Sequence, residues 1–320
     1  VLAKNGKAIS VEENFEIDAK KFEYSKDKDI LEAYNGVAYF KSDNLKIEFD
    51  EIILDQSKFL TTARKNIKII DLNEKISIQT EQISFDKKKN ILKSNALSTL
   101  IDKNRNIIQT SNFWYNLDDG ILKLKDVELK DIENNKFKID LAYLNTVSDK
   151  LIGKDITVNL NNKSFNKNNE PRIKGRSIII ENKQTEITKG IFTTCKKTDK
   201  CPPWELAAGK IQHDTKNQMI NYQNAFLKVY NVPVLYFPKF FHPDPSVKRK
   251  SGFLVPTIKS SPNSGDYLSL PYFSAISQNK DMTFTPRFYS SDKILLQTEY
   301  RQENFESSHI SDVSLLKEKD

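Results

Sequence analysis

Two cysteines and three histidines are the side chains whose spacing speaks most directly about chemistry. Cys195 and Cys201 form a C-x5-C pair followed at once by Pro202-Pro203-Trp204. A structural zinc site needs four ligands and no second pair exists. The spacing also rules out a redox C-x-x-C motif. In an oxidising compartment a disulfide is the natural state. The partners are then each other, closing a small loop, or cysteines beyond this stretch; two unpaired thiols would instead fit a cytosolic protein. His213, His242 and His309 are far apart, and none stands at a metal-ligand spacing. There is no nucleophile elbow, Walker loop or dinucleotide fingerprint. The many carboxylates fall in turns and on polar faces, where solvation accounts for them. Such a sequence reads as a non-enzyme with no metal and no cofactor, because convergent groups are what catalysis requires.

The elements that carry these residues are strands. From about Phe15 to Phe192 apolar and polar residues alternate with a period of two, as in Leu45-Lys46-Ile47-Glu48-Phe49 and Ile121-Leu122-Lys123-Leu124-Lys125. Polar clusters such as Lys26-Asp27-Lys28-Asp29 and Asp118-Asp119-Gly120 supply turns between them. No helical stripe is sustained. A loose internal repeat ends in an apolar-x-aromatic pair and a small polar residue, at Phe22-Glu23-Tyr24-Ser25, Ile47-Glu48-Phe49-Asp50, Ile83-Ser84-Phe85-Asp86 and Phe113-Trp114-Tyr115-Asn116. A turn is expected after each, and the repeat length drifts. Each strand pair has one apolar face that only stacking on its neighbours can bury.

Near residue 200 the composition changes. Only Pro171 of the eleven prolines precedes Cys201, and aromatics become dense at Tyr222, Phe226, Tyr230, Tyr236, Phe237, Phe240 and Phe241. A proline removes a ladder donor, so this part needs edges or irregular connections. The best linker is His242-Pro243-Asp244-Pro245 with the basic run Lys248-Arg249-Lys250. Beyond it come alternating segments of up to about ten residues at Gly252–Thr257, Tyr267–Ile276, Asp281–Tyr289 and Ile294–Arg301, the pattern of transmembrane strands. They are too few to close a barrel, and a truncated barrel is the simplest expectation. The chain opens at Val1, without Met or signal peptide, which reads as a processed or partial sequence. No run approaches the ~20 apolar residues of a membrane helix. The balance of 50 basic and 43 acidic residues is mild and mostly Lys-based, a solvated surface rather than a nucleic-acid footprint.

From Phe192 onward the motifs become specific. Phe192-Thr193-Thr194-Cys195, Pro203-Trp204-Glu205-Leu206 and Ile211-Gln212-His213-Asp214 are followed by Val232-Pro233-Val234-Leu235-Tyr236-Phe237-Pro238. Then come His242-Pro243-Asp244-Pro245, Lys250-Ser251-Gly252-Phe253-Leu254-Val255-Pro256 and Leu270-Pro271-Tyr272-Phe273. This ordered run resembles the LptD (OstA, organic solvent tolerance) family of lipopolysaccharide-assembly proteins, and the upstream repeats resemble its OstA-like domain.

The resemblance implies an all-β chain: a periplasmic β-jellyroll or β-taco over 1–245, then the first strands of a large antiparallel outer-membrane barrel over 246–320. It implies lipopolysaccharide received in the roll from an LptA-type bridge protein stacked on a strand edge. Acyl chains would line an apolar groove whose candidates are Phe22, Tyr24, Ile47, Phe49, Ile83, Phe85, Phe113 and Tyr115. The barrel, plugged by an LptE-type lipoprotein, would release lipid through a lateral gate, where Pro256 and Pro271 match family prolines of the first two barrel strands. Cys195 matches the family's cysteine at the end of the jellyroll, which pairs with one near the barrel's C-terminus. Cys201 departs from that pattern, which leaves a local Cys195–Cys201 bond as the alternative. Other functions compatible with a β-ladder are a soluble periplasmic bridge protein of the same roll fold and a surface β-solenoid adhesin.

Overall fold

Alternating burial makes strands, and the expected all-β class is what the chain adopts. The computed structural model describes residues 2–11, 14–73, 76–161, 170–182, 184–196, 198, 202–243, 247, 249–260 and 265–318. No helix occurs among the described residues. Two compact units form, residues 1–161 with 174–182, and residues 162–173 with 183–320.

The first unit begins with β1 (Leu2–Ser10), β2 (Phe15–Ser25), β3 (Ile30–Phe40), β4 (Leu45–Asp55), β5 (Leu60–Asp71) and β6 (Ile76–Asp86). Four short strands follow: β7 (Ile91–Ser94), β8 (Ser98–Ile101), β9 (Ile107–Thr110) and β10 (Asn112–Asn116). Then come β11 (Ile121–Lys130), β12 (Lys136–Asn145) and β13 (Lys150–Asn159), with β14 (Arg172–Glu181) mostly inside this unit. From β1 to β6 and from β11 to β13 each strand pairs antiparallel with the next. Between them β7 and β8 act as one broken rung, and so do β9 and β10. Thus β6 meets β7 near one end and β8 near the other, while β11 meets β10 and β9 in the same way.

The alternation changes phase halfway along most rungs. In β4 the buried residues are Leu45, Ile47 and Phe49, then Ile52 and Leu54; in β11 they are Leu122 and Leu124, then Val127 and Leu129. A one-residue slip would send every later side chain to the opposite face. Both halves nevertheless stay buried on one side, because an extra residue bends the strand at that point. The bend shows as register shifts between Glu48 and Glu51 and between Arg64 and Ile67. Each rung therefore has two arms with their apolar residues inside. Asn35, Asn66, Asp126 and Asp155 sit at such corners with positive φ, a conformation that Asn and Asp tolerate better than other non-glycine residues. Positive φ also recurs in the turns, at Asp29, Phe59, Asn90, Gly120 and Asp149, about every 30 residues. The repeat is thus a regular two-rung hairpin and not the drifting one expected. The motif at Ile47–Asp50 is also corrected: it runs into a mid-strand corner of β4 and no turn follows it.

Across the rungs, aligned residues make apolar stripes. One runs Ile17–Ala38–Ile47–Ile69–Ile78–Leu100 by register, and all six are essentially inaccessible. The other arm carries Phe85–Leu92–Tyr115–Leu122–Leu144. Burying each large side chain in such a stripe is worth about 1.5–3 kcal/mol.

The second unit holds β15 (Gln184–Thr193), β16 (Trp204–Asp214), β17 (Met219–Val229) and β18 (Val232–Pro243), paired in sequence. A separate seven-stranded sheet follows: β19 (Gly252–Phe253), β20 (Thr257–Lys259), β21 (Tyr267–Ser269), β22 (Tyr272–Ser277), β23 (Lys280–Tyr289), β24 (Ile294–Glu303) and β25 (Ser308–Lys317). Two segments expected as continuous strands are broken at their prolines. Pro256 separates β19 from β20, and Pro271 separates β21 from β22. The break is bridged by Leu254 N–H donating to the Pro271 carbonyl at 2.8 Å. Strand β25, which the sequence pattern did not single out, extends the sheet.

Candidate functional site

The second unit contains a half-open, largely apolar cavity of about 430 Å³. Alternation in β16 and β17 points one set of side chains inward; of the aromatics in the proline-rich stretch Phe237 and Phe240 join that set, while Phe226, Tyr230, Tyr236 and Phe241 stay exposed. Trp204 and Leu206 start β16, Leu227 comes from β17, and Phe237 and Phe240 from β18; Phe192 arrives from the end of β15. Phe253 of β19 closes the wall by stacking on Phe240, with centroids 4.7 Å apart. Phe192 meets Trp204 edge-on at 5.9 Å. Leu254, Val255, Pro256, Leu270 and Phe273 complete the lining.

Polar groups stand at defined points of this wall. His242 Nδ1 is 2.7 Å from the Pro243 carbonyl oxygen, which can only accept, so Nδ1 carries the proton. Its Nε2 then accepts from the Tyr222 hydroxyl at 2.8 Å. Tyr222 is wholly buried, and desolvation pushes its phenol far above the ordinary value. Burial thus keeps the Tyr222 phenol protonated behind His242, which itself lines the cavity. The charged lining residues are Arg249, Lys250, Asp281 and Arg301. Asp281 Oδ2 accepts from Arg249 Nη2 at 3.1 Å and Oδ1 from Arg301 Nε at 2.8 Å. Arg249 also donates to the Lys280 carbonyl at 2.8 Å and to that of Gln278. Lys250 donates to the Asn217 carbonyl. A largely hydrocarbon space bordered by three cations and one carboxylate suits an amphiphile.

The groove candidates lie elsewhere, in the first unit. Phe22, Ile47, Phe49, Ile83, Phe85, Phe113 and Tyr115 are buried, while Tyr24 is half-buried with its hydroxyl donating to Asp29 at 3.1 Å. They are divided between the arms: Ile47 belongs to the stripe of one and Phe85 and Tyr115 to that of the other, and the arms meet where Phe40 packs edge-on against Phe85 at 5.4 Å. Tyr115 donates at 2.7 Å to the buried Asp71. Pro256 is buried and lines the second-unit cavity, and Pro271 stands beside it in the broken ladder. Cys195 is a half-buried free thiol with Sγ 3.6 Å from the Trp204 carbonyl; its candidate partner Cys201 lies outside the described residues. The cavity aromatics and the Arg249–Asp281–Arg301 cluster were not foreseen as a site. Phe192, Trp204, Phe237 and Phe253 stood within the motif-rich run, but Asp281 and Arg301 lie beyond it, and two separate sheets contribute to the cavity.

In β23 to β25 the two faces differ. Thr283, Thr285, Gln297, Glu299, Asp312 and Ser314 share one face by register, and Met282, Phe284, Leu296, Tyr300, Val313 and Leu315 the other.

Comparison with known proteins falls on the same region. Residues 220–304 match the family described as LptD protein. The chain is 42% identical over 115 residues to the LPS-assembly protein LptD of Shewanella frigidimarina, covering 36% of this chain and 15% of that protein. It is 35% identical over 121 residues to the one from Sodalis glossinidius, covering 38% and 15%, and 35% identical over 126 residues to that of a Polaromonas species, again covering 38% and 15%. The chain thus spans about 15% of the length of these relatives. Over residues 220–304 it carries the LptD family signature, as its motifs led the sequence reading to expect.

Proposed function

We propose that this chain is the lipid-receiving part of an outer-membrane lipopolysaccharide assembly component. The observation that carries the reading is an apolar cavity with a cationic mouth, built largely from the residues that match the LptD family. A buried acyl chain gains about 0.8 kcal/mol per methylene, enough to hold lipid without any reacting group. Residues 1–245 act as a periplasmic roll and 246–320 as the first strands of a transmembrane barrel; the change of sheet between β18 and β19 and the two-faced β23–β25 support this division. In the roll, the apolar stripes through Ile47 and through Phe85 and Tyr115 are the lane for acyl chains, with Phe22, Tyr24, Phe49, Ile83 and Phe113 beside them. Pro256 and Pro271 mark the lateral gate, supported by the interrupted ladder there. Cys195 pairs with a downstream cysteine of the family type or with Cys201. The partners are lipopolysaccharide, an LptA-type bridge protein on a strand edge, and an LptE-type plug, at the outer membrane. A β-solenoid adhesin would need parallel coils, whereas the registered pairs here are antiparallel, and a soluble bridge has no use for the β19–β25 sheet.

A photo-crosslinking amino acid at Leu227, Phe49 or Phe85 should capture lipopolysaccharide in cells, and one at Glu48 should not. Absence of capture at all three inward positions would refute the reading.

A further inference from the structure

The cavity mouth has a feature that acyl binding does not require. Asp281 stands opposite Arg301 in the β23–β24 register, and its side chain is only 14% exposed. Its two oxygens are divided between two arginines of different origin, one from the segment after β18 and one from β24. Resting on the reading that the cavity accepts an acyl chain, we propose that Asp281 is a displaceable counter-ion. It occupies the place that the phosphate of an anionic amphiphile takes when its chains enter the cavity.

Three observations carry this. First, among the described residues Arg249, Lys250 and Arg301 outnumber Asp281, and even with Glu299 at 3.3 Å from Arg301 they keep a positive surplus there. A surplus charge beside hydrocarbon is satisfied by an incoming anion. Second, two of the three cations are anchored independently of the carboxylate. Arg249 is held by the Gln278 and Lys280 carbonyls and Lys250 by that of Asn217, so withdrawal of Asp281 leaves both in place. Third, Arg301 engages Asp281 through Nε, and among the described residues no bond is made by its terminal nitrogens. Those nitrogens are the ones that bind an oxyanion in the two-pronged manner peculiar to arginine. A phosphate brings more charge and more acceptor oxygens than one carboxylate, so the exchange favours the ligand.

The test uses the whole chain in detergent micelles with Trp114→Phe, which leaves Trp204 in the cavity wall as the one tryptophan of two. Its quenching is measured with phosphatidic acid carrying brominated acyl chains, and with diacylglycerol carrying the same chains. Phosphatidic acid should quench at concentrations about tenfold lower, the usual scale of a charge-assisted contact. Arg249→Gln and Arg301→Gln should each abolish most of that preference and leave diacylglycerol unchanged; Arg249→Lys should retain more of it than Arg249→Gln. Asp281→Asn should tighten phosphatidic acid several-fold, since a competitor is gone. A role confined to holding the arginines in position predicts the reverse, so weaker binding by Asp281→Asn overturns the proposal. Equal quenching by the two lipids overturns it as well while leaving the acyl-binding reading intact, whereas no quenching by either defeats both. Inorganic phosphate should not reverse the quenching at equal concentration; reversal would assign the rim to a free anion and overturn the amphiphile assignment.

Discussion

Replacing Gly252 by alanine places a methyl carbon 2.2 Å from Cδ of Pro243, 2.9 Å from its Cγ and 3.2 Å from its nitrogen. Carbon atoms rest at about 3.5–4.0 Å, and a proline ring has no rotamer by which to withdraw. The added methyl therefore pushes β19 off the end of β18 by more than an ångström. Overpacking of this kind costs about 1–3 kcal/mol. The same displacement opens the Phe240–Phe253 stack at 4.7 Å, worth about 0.5–1.5 kcal/mol more. The expected total is about 2–4 kcal/mol, or a urea midpoint lower by about 1–2 M at an ordinary m-value. Trp204 fluorescence in the Trp114→Phe background reads unfolding of this unit. Gly209→Ala is the control: its methyl meets the Gln223 carbonyl oxygen at 3.6 Å and Asn224 Cβ at 3.7 Å, ordinary contacts. It should be neutral or stabilising by about 0.4–1 kcal/mol through the unfolded chain. Equal midpoints for the two variants would refute the reasoning that Gly252 is there for close approach.

Three further outcomes are expected. Tyr115→Phe removes the 2.7 Å bond to the buried Asp71 and should cost about 1.5–3 kcal/mol, measured by urea denaturation; a loss below 0.5 kcal/mol, on the order of a surface substitution, would argue against it. Asn35 has φ near 53° at a corner of the first unit. Asn35→Gly should be tolerated there, and Asn35→Val should lose about 1–2 kcal/mol, so comparable stability of the two would contradict the corner geometry. Burial raises the carboxyl of Asp102 above its ordinary value, against the opposing pull of hydrogen bonds from Asn106 and Asn104. A raised acid binds its proton more tightly folded than unfolded, so its contribution is present in acid and lost as pH rises through the folded value. The stability of the wild-type chain relative to Asp102→Asn should accordingly fall with rising pH just above the ordinary carboxyl range, and the opposite slope would be decisive against it.

Strands were legible in the sequence because a period of two survives whatever the strand packs on. The corners were not, because a bulge exchanges one polar residue for two and leaves the run looking like ordinary alternation. Leu45-Lys46-Ile47-Glu48-Phe49 reads as a complete strand ending at Asp50, yet β4 bends there and continues to Asp55. The 30-residue repeat hides for a related reason. Its positive-φ positions are filled by Asp29, Asn90 and Asp149, but also by Phe59 and Lys65, which no turn rule selects. The cavity was illegible on other grounds: Phe192 and Leu227 belong to one sheet and Phe253 and Arg301 to another, so only the packing of the two sheets brings them to one space. The prolines were legible as ladder breakers, but not that each would split its strand in two.

That splitting bears directly on how lipid would leave the sheet. Between β19 and β22 only Gly252 with Phe273 and Phe253 with Tyr272 are in register, and between β20 and β21 only Thr257, Ile258 and Lys259 have partners. Strands β24 and β25, by contrast, are in register over the whole of Ile294–Glu303. At about 1 kcal/mol net per ladder hydrogen bond, parting the first two strands costs roughly half of what parting β24 from β25 would. Proline cannot supply the missing donor in either strand, so solvent or lipid conditions that strengthen the rest of the sheet leave this place weak. If Pro256 and Pro271 mark a gate, Pro271→Thr should restore a donor opposite the break, lengthen the ladder and slow lipid release while raising stability. A variant that gains stability and releases lipid at the wild-type rate would separate the weak ladder from the exit and refute the assignment.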